Sequence, residues 1–225
     1  MRIEVVDGAP SALADRAAVW LADRIWTAVA DRGVAHVAVS GGTTPKAMFE
    51  VLAALPVPWP AVHVWQVDER VAPDGDPARN VNDLRAGLLD KVPVTAHLFA
   101  VTDPDLDAAA ARYAADLDDV CGGVLDVVHL GLGGDGHTAS WPPGDPVAEV
   151  TDRDAAVSGV YEGHRRLTLT VPAVNRARDI MFLVAGAAKV RAVAELVEGT
   201  GSIPALHVRR DATLLADRAC FPRAN

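Results

Sequence analysis

The residues best equipped for chemistry lie together in Leu130-Gly131-Leu132-Gly133-Gly134-Asp135-Gly136-His137-Thr138-Ala139-Ser140. Four glycines, a carboxylate, an imidazole and two hydroxyls share this stretch, which follows the strand-like run Leu125–Leu130. Glycines let a backbone approach a ligand closely, and an imidazole beside a carboxylate can serve as a base near neutral pH. Three readings compete: a tight turn with a structural histidine, a dinucleotide site, and a catalytic loop. Gly131, Gly133 and Gly136 satisfy G-x-G-x-x-G in form, but that fingerprint needs a helix opening at its last glycine. Pro142 and Pro143 come too early to allow one. The rest of the chain favours the catalytic loop.

A second loop, Ser40-Gly41-Gly42-Thr43-Thr44-Pro45, follows the apolar run Val34–Val39. Thr44 is expected to cap a helix whose first residue is Pro45. Strand, glycines, hydroxyls and a helix N-terminus together suit a phosphate. The run Val62–Val67 ends in Asp68-Glu69-Arg70, and Ile180–Val184 leads to Gly186 and Lys189. All four segments sit at carboxyl ends of predicted strands, where α/β sheets bind ligands.

The elements that must position these residues alternate between strand and helix. Ser11 is expected to cap a helix carrying Leu13, Ala17, Leu21, Ile25 and Val29, closed by Gly33. His97–Val101 reads as an edge strand, and Asp103 as the cap of a helix running to Val120. Val157–Tyr161 and Arg166–Thr170 read as a hairpin joined by Glu162-Gly163-His164. The expected fold is a single α/β Rossmann-like domain, residues 1–225, with a mostly parallel sheet flanked by helices and a small antiparallel hairpin.

The 225 residues are half hydrophobic and carry a net charge of −9. That balance predicts a folded core and no nucleic-acid partner, since no basic patch is visible. Cys121 and Cys220 lack metal-ligand spacing and read as reduced thiols. The start of the chain has no signal-peptide pattern, and no apolar run approaches the ~20 residues of a membrane span. A cytoplasmic protein without membrane contact is expected, of open oligomeric state.

Ser-Gly-Gly-x-Thr-Pro at 40–45, Asp-Glu-Arg at 68–70, Asp-Gly-His-Thr-Ala-Ser at 135–140, the strand Arg166–Thr170 and Lys189 resemble, in order along the chain, the 6-phosphogluconolactonase family. That family belongs to the group that includes the glucosamine-6-phosphate isomerases. The resemblance implies hydrolysis of 6-phosphoglucono-1,5-lactone, a sugar-phosphate lactone, to 6-phosphogluconate in the pentose phosphate pathway. It makes His137 the base that activates water and Asp135 its partner. Asp68 and Arg70 would face the sugar. Ser40, Gly41, Gly42, Thr43, Thr44, Arg166 and Lys189 would surround the phosphate, with Gly134 also at the substrate. No cofactor and no metal are implied.

The chain departs from the family pattern twice. Arg79-Asn80-Val81 stands where Ser-Asn-Tyr is usual, placing an added cation near the expected substrate rim. Trp141-Pro142-Pro143-Gly144 replaces Leu-Phe-Pro-Gly. Two alternatives remain beside the lactonase. A glucosamine-6-phosphate deaminase of the same group would carry Asp-Glu-Tyr at 68–70 and a glutamate at 142, where this chain has proline. A non-catalytic sugar-phosphate effector module would bring a basic DNA-binding segment.

Overall fold

The computed structural model describes residues 1–222; residues 223–225 of the expected domain lie outside it. In chain order the elements are β1 (Arg2–Val6), α1 (Pro10–Arg32), β2 (Ala35–Val39), α2 (Thr43–Ala54), β3 (Val62–Gln66), β4 (Asp68–Arg70), α3 (Asn80–Leu84) and β5 (Thr95–His97). Then come α4 (Leu106–Cys121), β6 (Val127–Leu130), β7 (Ala155–Tyr161), β8 (His164–Leu169), α5 (Val171–Asn175), β9 (Asp179–Val184), α6 (Val190–Glu198) and β10 (Thr213–Asp217). Seven strands form one sheet in the order β1-β10-β9-β6-β2-β3-β5, every neighbour pair parallel.

Period-2 alternation sorts the strand residues into two apolar layers. Val37, Val39, Val64, Val127, Met181, Leu183 and Leu215 face α1 and α2, where they meet Leu21, Ile25, Phe49 and Leu52. Ala38, Trp65, Val128, Phe182 and Leu214 face the other way, toward Tyr113 and Leu117 of α4 and Val193 and Leu196 of α6. Burial on both faces is why these strands read as continuous apolar runs.

Several boundaries differ from expectation for local reasons. The helix α1 starts at Pro10 with Ala9 as its cap, so Ser11 lies inside it; proline suits the first helical position because it has no N–H to leave unpaired. The helix α2 starts at Thr43 rather than Pro45, because Gly42 takes the cap position with φ 121°, which Thr44 would avoid. Asp105, not Asp103, caps α4 by accepting from the Ala108 N–H at 2.9 Å. Asp103 instead accepts from the Asp105 N–H. The edge strand is Thr95–His97, not His97–Val101. Beyond it the chain turns across the end of β3, where the Phe99 N–H donates to Gln66 Oε1 at 2.9 Å.

The hairpin is part of a three-stranded antiparallel sheet, β4-β8-β7. Asp68 pairs with Thr168 and Arg70 with Arg166, so the Asp-Glu-Arg segment is itself a strand. Three residues are too few to show a period, which is why this strand was not visible in the sequence. The turn is only Glu162-Gly163, with φ of 48° and 83°. No helix follows the glycine loop at Gly131–Ser140, which removes the dinucleotide reading.

The histidines in the main sheet are structural. His129 on β6 is 0% exposed, and burial alone pushes its imidazole down to about 3. Burial also lowers His36 and His63, and it lowers His97 to about 4. A histidine held neutral in the fold but free to protonate near 6.5 when unfolded stabilises fully above that pH. It costs stability as the pH falls through 6.5 toward the folded value. For His129 this amounts to about 1.4 kcal/mol per pH unit, or about 2 kcal/mol at pH 5. Denaturant unfolding should therefore show lower stability at pH 5 than at pH 7. In His129→Asn the drop should be smaller; an equal drop in the variant would contradict this account.

Candidate active site

Strand order decides where a site can form. The connection after β2 leads outward to β3 on one side, whereas β6 lies on the other side with β9 and β10 beyond it. At such a reversal the loops after the two adjacent strands separate and leave a crevice at their carboxyl ends. Here those loops are Ser40–Gly42 and Gly131–His137. A cavity of about 480 Å³ lies between them.

Ser40, Gly41, Gly42, Thr43, Thr44, Asp68, Arg70, His137, Arg166 and Lys189 all line this cavity. Gly134 is not among its lining residues; its carbonyl accepts from Arg191 at 3.2 Å, on the far side of the loop. Asp135 sits behind His137 rather than in the wall. Asn80 and Glu162 complete the rim beside the residues expected there.

The glycine loop is built to hold the imidazole. The Gly133 N–H donates to the His137 carbonyl at 2.8 Å, and the Gly136 N–H donates to the Gly133 carbonyl at 3.0 Å, closing a tight ring of backbone. Asp135 Oδ1 accepts from the His137 backbone N–H at 3.2 Å and lies 2.7 Å from His137 Nδ1. A Cβ on Gly133 would lie 2.1 Å from His137 Nδ1 and 2.4 Å from Asp135 Oδ1, so only glycine fits there. The Tyr161 hydroxyl donates to Asp135 Oδ2 at 2.7 Å. Burial pushes Asp135 up, but the hydrogen bonds from Tyr161 and His137 overcome it and hold the carboxylate down at about 2. An ionised Asp135 fixes the proton on Nδ1 and leaves the Nε2 lone pair free to accept one.

The other wall carries paired charges. Asp68 is buried, and that burial raises its carboxyl above the usual range against the opposing 2.6 Å hydrogen bond from the Ser140 hydroxyl. Arg70 Nη1 donates to the Asn80 Oδ1 at 3.0 Å and to the Ala78 carbonyl at 2.9 Å. Asn80 Nδ2 in turn donates to the Asp68 carbonyl. Glu69, 0% exposed, accepts from Gln66 Nε2 and from the backbone N–H groups of Arg70, Asn80 and Val81. It thereby ties β4 to the first turn of α3.

Arg79 is not at the substrate rim. It is 8% exposed and donates to the Ala72 carbonyl and to Asp74, with Nε 3.4 Å from Glu69 Oε2. Its charge compensates a buried carboxylate, as a buried ion requires. Trp141, the other departure, is fully buried and donates through Nε1 to the Leu169 carbonyl at 2.8 Å, pinning the end of the glycine loop to β8.

Arg166 is 3% exposed, and among the described residues its anionic contact is Glu162 at 3.2 Å. Among the described residues its Nε has no partner, and neither does the buried Ser40 hydroxyl. Two unpartnered buried polar groups in one cavity wall suit an anionic ligand with several oxygens. Lys189 makes no ion pair among the described residues and sits just before α6. Sequence reading had passed over three contributors, Tyr161, Asn80 and Ser140. For Asn80 the motif carried a signal, because it is the one residue of Arg79-Asn80-Val81 that keeps the family pattern.

Residues 8–216 match the family described as glucosamine-6-phosphate isomerases/6-phosphogluconolactonase. A 6-phosphogluconolactonase of Synechocystis sp. is 41% identical over 193 residues, spanning 82% of this chain and 80% of that protein. The crystal structure of a 6-phosphogluconolactonase from Shewanella baltica superposes with a TM-score of 0.84 at 26% identity, covering 96% of this chain and 97% of that one. A monomeric glucosamine-6-phosphate deaminase reaches the same TM-score of 0.84 at 20% identity, with 98% of each chain covered. The last likeness is one of fold alone.

Gly133→Ala should push the imbedded His137 ring out of place while leaving the sheet intact. The expected result is a shifted set of His137 ring signals by NMR, a nearly unchanged Tm, and turnover reduced about 10²-fold, as for an ångström-scale misplacement of a reacting group. Unmoved ring signals would contradict the packing described for this loop.

Proposed function

We propose that this chain, which belongs to the glucosamine-6-phosphate isomerase/6-phosphogluconolactonase family, hydrolyses 6-phosphoglucono-1,5-lactone to 6-phosphogluconate, the lactonase step of the pentose phosphate pathway. The observation that carries the reading is a base dyad, Asp135–His137, beside a cavity with an under-satisfied buried arginine and an unpartnered serine hydroxyl. A lactone is an activated ester, so its hydrolysis needs a base for water and help for the developing oxyanion.

His137 takes the proton from water through Nε2 while Asp135 stabilises the imidazolium through Nδ1. The water oxygen bonds to the lactone carbonyl carbon. The ring C–O bond then breaks, and the departing ring oxygen takes the proton back from His137. A positioned base supplies roughly 10²–10⁴-fold. Arg166, Lys189, the Ser40 hydroxyl and the first-turn N–H groups of α2 hold the phosphate. Asp68 and Arg70, fixed by Ser140 and Asn80, face the sugar hydroxyls. Pro142 offers no titratable group for the proton relay that the deaminase reading needs.

Both apolar layers share the seven-stranded sheet, which supports one domain. No described helix is long and apolar enough to cross a membrane. A cytoplasmic location is part of the proposal, supported by the free thiols of Cys121 and Cys220.

The test is turnover of freshly prepared phosphogluconolactone, read through a dehydrogenase that consumes the product. His137→Ala should fall by at least about 10²-fold. Lys189→Ala should lose about 10- to 150-fold in kcat/KM on the phosphorylated lactone, the worth of a charge-assisted contact, and almost nothing on unphosphorylated gluconolactone. Equal losses on both lactones would remove Lys189 from the phosphate site. Among the described residues no group of three or more His, Cys, Asp or Glu could hold a metal, and turnover should persist in a strong chelator. Loss restored by one metal ion would overturn the metal-free mechanism.

A further inference from the structure

The hairpin β7–β8 holds an irregularity that serves the base. Ser158 pairs with Arg166, yet the next pair is Tyr161 with His164. Two residues, Gly159 and Val160, therefore oppose the single residue Arg165. A bulge of this kind reverses which face the following side chain occupies. In regular pairing Val160 would stand opposite His164 and Tyr161 would point to the other face. With the extra residue, Tyr161 joins Arg166 on the cavity side and Val160 is 71% exposed. Exposing a valine gains nothing for the fold, so the compensation lies in where Tyr161 is delivered.

We propose that Tyr161 is a positioning residue for the His137 base, acting through Asp135. This inference rests on the lactonase reading above, since it concerns the same base. The Tyr161 hydroxyl lies 2.7 Å from Asp135 Oδ2, while Asp135 Oδ1 lies 2.7 Å from His137 Nδ1. The carboxylate is thus held at both oxygens, and its plane is set relative to the imidazole. The tyrosine ring also packs edge-on against the His137 ring, with centroids 5.1 Å apart, and its hydroxyl lies 3.2 Å from His137 Nδ1; with Nδ1 itself protonated, the single hydroxyl proton goes to the nearer Asp135 Oδ2. Asp135 otherwise rides on a glycine loop, and among the described residues its side chain has no other donor apart from His137 itself. Without the hydroxyl the carboxylate is free to rotate away from Nδ1, and the tautomer that exposes the Nε2 lone pair is no longer enforced.

Two features suit Tyr161 to this work. Burial and the adjacent Asp135 carboxylate push the phenol up to about 12, so it remains a donor across the working pH range. Its ring also carries the Arg166 guanidinium, 4.9 Å from the centroid, and its carbonyl faces Arg166 Nη2 at 3.4 Å. The support of the base and the cation assigned to the phosphate therefore share one side chain.

The test compares Tyr161→Phe in two backgrounds. In the otherwise unaltered enzyme it should lower kcat about tenfold, the worth of one hydrogen bond to a charged group, and leave KM within about twofold. In an Asp135→Asn background the same change should cost less than about twofold, because the route through Asp135 is already broken. An equal loss in both backgrounds, or a loss confined to KM, would overturn the proposal, since packing alone would produce either. The chain has two tyrosines, Tyr113 and Tyr161, so 3-fluorotyrosine in a Tyr113→Phe background reports on Tyr161 alone. Its fluorine signal should move in both Asp135→Asn and His137→Gln, and a signal unmoved in both would overturn the contact itself. That readout needs no turnover. An enzyme inactive on the lactone would sink the lactonase reading while the fluorine result still decided the contact.

Discussion

The pairing of β2 with β6 is the constraint on which the rest of the site depends. These two strands were laid down far apart in the chain, and their successors leave toward opposite edges of the sheet. Their carboxyl-end loops therefore diverge, and a cavity opens that no side chain has to be sacrificed to make. The pairing even reaches into the loop, since the Ser40 N–H donates to the His129 carbonyl at 3.2 Å. His129 is buried neutral beneath it, and its Nδ1 lies 3.3 Å from the same Ser40 N–H.

Around that cavity the protein places charge where the solvent cannot screen it. The chain is acidic as a whole, at −9, yet Arg70, Arg166 and Lys189 all line one cavity. Each buried ion has a stated partner. Glu69 is saturated by backbone N–H groups and by Gln66, with Arg79 nearby; Asp68 has Ser140. Arg166 is paired only with the exposed Glu162 among the described residues, and its buried Nε keeps an open position toward the cavity side.

The small antiparallel sheet serves the same end by a different route. Its strand β4 carries Asp68 and Arg70 to the cavity, and β8 carries Arg166 directly opposite Arg70. Two cations across a strand pair repel, and the repulsion is relieved because each leans on its own acceptor: Asn80 for Arg70, Glu162 for Arg166. The sheet is held to the glycine loop by Trp141 and by the Ser140 N–H on Thr168 Oγ1.

Part of this was legible in the residues alone. Long apolar runs such as Val34–Val39 and Ile180–Val184 announced a parallel sheet buried on both faces, because period and composition are local properties. The glycine loop, the Ser40–Pro45 turn and Lys189 stood out because glycine and hydroxyl clusters at strand ends have few other uses. Each of the helix starts at Pro10, Thr43 and Leu106 lies two residues from its expected place: at Ala9 and Gly42 backbone geometry outweighed side-chain capping preference, and at α4 Asp105 took the capping role in place of Asp103. What only the tertiary structure decided was adjacency between distant segments. Tyr161 reaches Asp135 because a bulge adds one residue to β7; Arg79 turns inward because Glu69 needs a cation; Asp68–Arg70 becomes a strand because β8 lies beside it. None of these leaves a local pattern, since each depends on which strand pairs with which and in what register. That is a property of the whole chain's packing and not of any stretch of it.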